Sequence, residues 1–225
     1  MRGLVTLTGP AAALLQPDIN TDTIAPLVRG QAGPQPAGIR SEAELAQRLF
    51  GPLRYLPTGQ ENPDFVLNQP PFRRATFLIA GPNFACGSSR ETAATMLNAF
   101  GIRCVIAPSF GLIFHDNCFR NQMLPLTLDW AIVQRLGAQA ASGESFTLDL
   151  QACTLSPPDG SPISFSLPGF RRDMLLSGAD ELEVTWRRRG EIEAWQANAR
   201  RKRPWEWLLR EYESTTHPRA QSQGD

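Results

Sequence analysis

The side chains best suited to chemistry stand together in one stretch, Gly81-Pro82-Asn83-Phe84-Ala85-Cys86-Gly87-Ser88-Ser89-Arg90-Glu91. An apolar run, Ala75 to Ala80, precedes it and an amphipathic stretch follows, so it reads as the turn from a buried strand into a helix. Amides at a helix start lack intrahelical partners and, with the helix dipole, attract anions. The hydroxyls of Ser88 and Ser89 and the cation of Arg90 would complete a receptor for a carboxylate or phosphate. Ser88 and Glu91 also have capping-box spacing, under which Ser88 only caps the helix and Arg90 is a surface charge. Spacing alone leaves both readings open. A Walker A loop is excluded, because Cys86 and Gly87 stand where its Gly and Lys belong. A nucleophile elbow is excluded too, since Ser88 and Ser89 lack the flanking glycines.

Histidine and cysteine usage narrows the chemistry further. The histidines are His115 and His217, the latter in a polar tail, so a catalytic triad or His-rich metal site would rest on His115 alone. Packing or a surface position explains His115, next to Asp116, more simply. Cys86, Cys104, Cys118 and Cys153 form no CxxC pair and read as small core side chains, with Cys86 open to a role because it lies in the loop itself. No metal site is expected in this chain.

These residues need elements to hold them. Arg90 to Phe100 presents Ala93, Ala94, Met96, Leu97 and Phe100 on one helical face, closed by Gly101. Ile102 to Ala107 reads as a second strand, Phe110 to Asn121 as a second helix and Met123 to Leu128 as a third strand. Strands alternating with helices at this spacing imply right-handed crossovers and a parallel sheet, an α/β fold. Residues 1–40 are rich in Gly, Pro and Ala around a polar knot, Pro17 to Thr23. Ser41 to Phe50 reads as a helix with Ser41 and Glu44 as a capping box, and residues 51–71 as an ordered, irregular loop. Ser145 to Leu150 and Ile163 to Leu167 look like an antiparallel pair joined by Pro157-Pro158-Asp159-Gly160, followed by helices near 170–177 and 191–200.

The chain has 225 residues, enough for one large domain with appendages, and a formal net charge of zero, which speaks against a general nucleic-acid or membrane-surface binder. No run approaches the ~18 apolar residues of a spanning helix, and the N-terminus lacks a secretory pattern, so a reduced, cytoplasmic protein is expected. Seven basic residues lie between Arg187 and Arg203. They flank an amphipathic helix and read first as a solvated face, second as packing onto a partner with Trp195, Trp205 and Trp207 as anchors.

Four blocks, NPDFVLN (62–68), GPNFACGSSRE (81–91), IAPSFGLIFHDNCFRNQMLPL (106–126) and GFRRDMLLSGADE (169–181), closely resemble the small subunits of 3-isopropylmalate dehydratase, in the aconitase superfamily. DINTDTIAP (18–26) and LFGPLRYL (49–56) fit the same pattern, and the resemblance spans roughly residues 5–205. It implies a swivelling β/β/α domain, assigned to residues 1–186; the chain's own pattern adds a C-terminal helical extension over 187–212 and a disordered tail over 213–225. The resemblance also implies a separate large subunit holding a [4Fe-4S] cluster, and interconversion of 2- and 3-isopropylmalate by dehydration and rehydration in leucine biosynthesis. By the same resemblance Ser88 is the base that moves the carbon-bound proton, and Asp22 reaches the active site with Thr21 beside it. Ser89 and Arg90 would hold a substrate carboxylate. Arg29 substitutes for a basic residue where this chain has Leu27, and the segment around Leu53, Arg54 and Tyr55 would read the substrate's side chain. Three positions depart from the family pattern: Thr92 replaces a histidine after Ser-Ser-Arg-Glu, Asn20 opens a motif that commonly reads Asp-Thr-Asp, and Leu27 is apolar. These departures leave room for a paralogue acting on a methylmalate- or citrate-like acid, or for a non-catalytic assembly module.

Overall fold

The structure is a computed structural model that describes residues 3–26, 41–87, 91–179 and 181–207. Its chain divides into two compact units, Met1–Asp180 and Glu181–Asp225. The border expected at residue 186 lies one helix beyond this division.

In the first unit, β1 (Thr6–Leu14), β2 (Phe77–Ala80), β3 (Cys104–Ala107), β4 (Leu124–Thr127), β5 (Ser145–Asp149), β6 (Thr154–Ser156) and β7 (Ile163–Ser164) form one sheet. Its order is β4-β3-β2-β1-β5-β6-β7. Strands β1 to β4 are parallel, with Ala12 opposite Leu78, Leu78 opposite Val105 and Val105 opposite Pro125. From β1 onward the pairing is antiparallel, beginning with Leu7 opposite Leu148. The apolar runs FLIA and CVIA are buried along their whole length because helices cover both faces of the parallel half. Alternation then sends Leu78, Ala80, Val105 and Ala107 into one core and Phe77, Ile79, Cys104 and Ile106 into the other.

Short helices α1 (Thr21–Ile24), α2 (Glu42–Arg48) and α3 (Gly51–Arg54) occupy the connection from β1 to β2. Ser41 and Glu44 form the capping box read from the sequence. Helix α4 (Thr92–Phe100) follows β2 and ends at Gly101, whose φ of 111° favours glycine. Helix α5 (Leu112–Arg120) follows β3, α6 (Trp130–Ala140) follows β4, and α7 (Gly169–Ser177) follows β7. The first core takes Ala93, Ala94 and Leu97 of α4, and the second takes Val133, Leu136 and Ala140 of α6.

Three expectations need correction. Residues 6–14, noted only as part of a stretch rich in Gly, Pro and Ala and assigned no element, form the strand at the centre of the sheet. The segments 145–150 and 163–167 are not neighbours: β6 lies between them, and the Pro157–Gly160 turn joins β6 to β7. The 51–71 loop contains α3 and a 3-10 turn at Val66–Asn68, and the helix α6 has no counterpart in the sequence reading.

The second unit contains α8 (Glu181–Arg187), α9 (Arg189–Lys202) and a 3-10 turn, Pro204–Glu206. Its arginines pair along the helices, Arg187 with Glu183 at 3.0 Å and Arg189 with Glu193 at 2.6 Å, as on a solvated face. Arg189 also lies over the Trp186 ring and Arg203 over Trp195. The expected tail, 213–225, lies outside the described residues.

Candidate functional site

Three loops leave the carboxyl ends of β1, β2 and β3, and hydrogen bonds lace them together. Asp18 N–H donates to Pro82 O at 3.0 Å, Ala85 N–H to Ile19 O at 2.7 Å and Thr21 N–H to Cys86 O at 3.0 Å. On the other side Phe84 N–H donates to Ser109 O at 3.0 Å, and Gly111 N–H returns to Phe84 O at 2.8 Å. The crossings are too close for side chains at two points. A Cβ on Gly81 would lie 2.3 Å from Gln16 O, and one on Gly111 would lie 2.4 Å from Ala85 O. Asp18, Asn83 and Ala85 all take left-handed φ values, 57°, 56° and 57°.

This lacing brings the DINTD motif to the loop that leads into the GSSRE motif. Asn20 caps α1, its Oδ1 accepting from Thr23 N–H at 2.8 Å and Thr23 Oγ1 at 3.0 Å. Thr21 is buried and Asp22 is exposed on the first turn of α1. A Cβ built on Gly87 would stand 4.0 Å from Thr21 Oγ1, so the chain approaching residue 88 runs beside Thr21. Beyond the motif, Glu91 Oε1 accepts from Asn121 Nδ2 at 3.5 Å, and Asn121 Nδ2 also donates to Asn117 O at 2.9 Å, which ties the start of α4 to the end of α5. Ser88, Ser89 and Arg90 lie outside the described residues, as does Arg29.

Arg54 has another place. It is buried, with Nε donating to Asn68 Oδ1 at 2.9 Å and Nη1 to Ala46 O at 2.8 Å, and its guanidinium lies over the Phe100 ring. Asn68 Nδ2 reciprocates to Arg54 O at 2.7 Å and also donates to Asn62 O. A cation so engaged is a strut joining α2, α3 and the Val66–Asn68 turn. Tyr55 is engaged similarly, its hydroxyl donating to Gln47 O at 3.0 Å.

His115 belongs to a different region. With Asp116, Phe119 and Arg171 it lines a groove of about 680 Å³ whose walls are Pro125–Asp129 and Ile163–Pro168. These walls include β4 and β7, the two edges of the sheet, so the sheet curls until its edges face each other. Arg171 Nη2 donates to Asp116 Oδ1 at 2.9 Å, and its guanidinium lies over Phe119. Burial lowers the His115 pKa, against an opposing pull from Asp116. Among the described residues of the DINTD motif and of the loop entering Ser88, none lines this groove. Burial also raises the thiol pKa of Cys104 and Cys118, whereas Cys86 is half-buried with Sγ 3.7 Å from Asp18 O. Among the described residues no group of three or more His, Cys, Asp or Glu side chains gathers as a metal site. Nor is any helix among them long and apolar enough to cross a membrane.

The sequence reading passed over Asp18, Asn83 and Ser109 at the loop junction. Asp and Asn within glycine-rich turns were the available signal, since both tolerate left-handed backbone.

Comparison with known proteins covers nearly the whole chain. The model of the aconitase C-terminal domain matches residues 34–131. The 3-isopropylmalate dehydratase small subunit of Rhodospirillum centenum is 45% identical over 207 residues, 91% of this chain and 98% of that protein. That of Dinoroseobacter shibae is 43% identical over 207 residues, 91% and 100% of the two chains. A 3-isopropylmalate dehydratase structure from Methanocaldococcus jannaschii superposes with a TM-score of 0.59 at 23% identity, covering 85% of this chain and 99% of that one, a likeness of fold.

Proposed function

We infer the chemistry of this site from one premise: the chain belongs to the family of 3-isopropylmalate dehydratase small subunits. It is accordingly a hydro-lyase subunit that interconverts 2- and 3-isopropylmalate by dehydration and rehydration, a step of leucine biosynthesis. Its fold is the swivelling domain of the aconitase superfamily. A large subunit is the partner of a small one, and in our reading that partner carries the [4Fe-4S] cluster while this chain binds none. The donor set agrees with that division, because Cys104 and Cys118 are buried in the core with raised thiol pKa values and Cys86 and Cys153 stand apart from them in the chain. Balanced charge speaks against nucleic acid or a membrane surface as partner, and we place the protein in the cytoplasm.

Within this chain the steps are a proton transfer and the holding of an acid. Ser88, as alkoxide, removes the proton on carbon while hydroxide leaves the neighbouring carbon, so the elements of water depart and a double bond remains. In the return direction the Ser88 hydroxyl gives the proton back as hydroxide adds to the other carbon. A serine hydroxyl is a very weak acid, so its anion needs positive potential nearby, which the start of α4 and the Arg90 guanidinium supply. Ser89 and Arg90 hold a substrate carboxylate, Thr21 and Arg29 contribute to binding, and Asp22 adds a carboxylate for proton exchange. Arg54 acts only through the scaffold.

The observation that carries this reading is the ladder between residues 18–21 and 82–86, which joins the turn bearing Thr21 and Asp22 to the loop entering Ser88. Turnover of 2-isopropylmalate by the chain paired with a cluster-loaded large subunit is its test. Ser88→Ala should cut kcat by about 10²–10⁴-fold, the usual worth of a positioned acid–base group, with melting temperature unchanged. A paired Ser88→Ala variant as active as the parent would overturn the assignment. Turnover across malates of graded alkyl size would identify the acid that fits best.

A further inference from the structure

Asp18 and Asn83 take no part in the proton transfer described above, yet they meet where the two segments that carry it cross. Asn83 Nδ2 donates to Asp18 Oδ1 at 2.7 Å. The Asn83 backbone N–H donates to Ser109 Oγ at 2.8 Å. One residue thus ties together the loops that follow β1, β2 and β3. Both members of the pair hold left-handed backbone, which Asp and Asn accept better than other residues with a Cβ. Ala85 holds the same conformation without that tolerance. Such a turn persists only where its surroundings over-determine it. The backbone bonds Asp18 N–H to Pro82 O, Ala85 N–H to Ile19 O and Thr21 N–H to Cys86 O join the same two segments. The side-chain bridge next to them is a contact between the two turns made by side chains rather than by backbone pairing.

On the premise that Ser88 moves the proton, we propose that the Asp18–Asn83 bridge is a positioning device for the reaction. It holds the Thr21–Asp22 turn and the loop entering Ser88 in one register. Both side chains are exposed, so the bridge adds little to global stability, as is usual for a solvent-screened charged contact. Its effect falls on catalysis, where a displacement of about 1 Å can cost ~10²-fold in rate. Asp18 and Asn83 touch no substrate and are positioning residues.

Asn83→Asp sets a carboxylate against a carboxylate while keeping the backbone bond to Ser109 and a residue tolerant of left-handed φ. In the two-subunit enzyme it should lower kcat about tenfold or more, with KM within about twofold and little change in melting temperature. The exchanged pair, Asp18→Asn with Asn83→Asp, again sets a donor against an acceptor and should recover kcat to within about threefold of the parent. Hydrogen exchange at the Thr21 and Ala85 amides should quicken in Asn83→Asp and slow again in the exchanged pair, a readout independent of turnover. Unchanged kcat in Asn83→Asp, or an exchanged pair no better than the single variant, overturns the proposal. Ser88→Ala run in parallel separates the two readings. If it abolishes turnover while Asn83→Asp does not, positioning fails alone; if it retains turnover, the role of Ser88 fails first.

Discussion

Arg54 shows how a cation within a motif-rich segment is engaged by the scaffold around it. Arg54 is buried and shares its donors between Asn68 Oδ1 and Ala46 O. Arg54→Met would leave Asn68 Oδ1 buried and Ala46 O half-buried without this donor, so a loss of about 1–3 kcal/mol is expected, read by urea unfolding. KM of the paired enzyme should stay at the parent value, whereas a substrate-contacting arginine would raise it. Arg54→Lys should recover little, since a single ammonium cannot span both acceptors along a planar fork.

Among the elements, the three strand-end loops depend on how closely their backbones cross. Gly111 opens α5 with its Cα packed toward Ala85 O, and an added Cβ would stand 2.4 Å from that oxygen. No rotamer relieves a clash between a Cβ and a backbone atom, so Gly111→Ala must push the 84–87 loop outward. The expected loss of stability is about 1–3 kcal/mol, as for other overpacked sites, measured by thermal unfolding. The loss in kcat should exceed what that destabilisation explains, because the displaced loop is the one that enters Ser88. Helix α2 shows the opposite case: its capping box is local, and the Ser41 and Glu44 spacing was sufficient to find it.

Across the first unit, the curled sheet sets His115 and Asp116 of α5 and Arg171 of α7 in the groove between the β4 and β7 edges. Burial holds the folded pKa of His115 below its unfolded value of about 6.5, with Asp116 opposing and Arg171 reinforcing the shift. Above that pH the ring is neutral in both states and stability does not depend on it. As pH falls through the ordinary histidine range the unfolded chain binds the proton first, and stability declines until the folded pKa is passed. His115→Gln should therefore flatten the fall in melting temperature between about pH 7 and pH 5 relative to the parent. A parallel fall in parent and variant would show that other groups dominate.

What the sequence determined by itself is whatever neighbours in the chain decide. FLIA and CVIA are buried on both faces and bounded by turn residues, Ser41 and Glu44 are three apart, and Gly101 ends a helix, so each was legible locally. The blocks around GSSRE and DINTD marked the family and the residues proposed for its chemistry. Tertiary structure alone decided the rest. Strand β1 is rich in Gly, Pro and Ala and has no run of large apolar residues; it is a strand because β2 and β5 pair with its two halves and helices cover Ala11 and Ala12. Strand β6, three residues long, exists because β5 and β7 flank it. Arg54 becomes a strut and Asp18 meets Asn83 through hydrogen bonds spanning 14 and 65 residues of chain. Hydrogen bonds and burial act through space, and spacing along the chain carries no record of which distant donor and acceptor will meet.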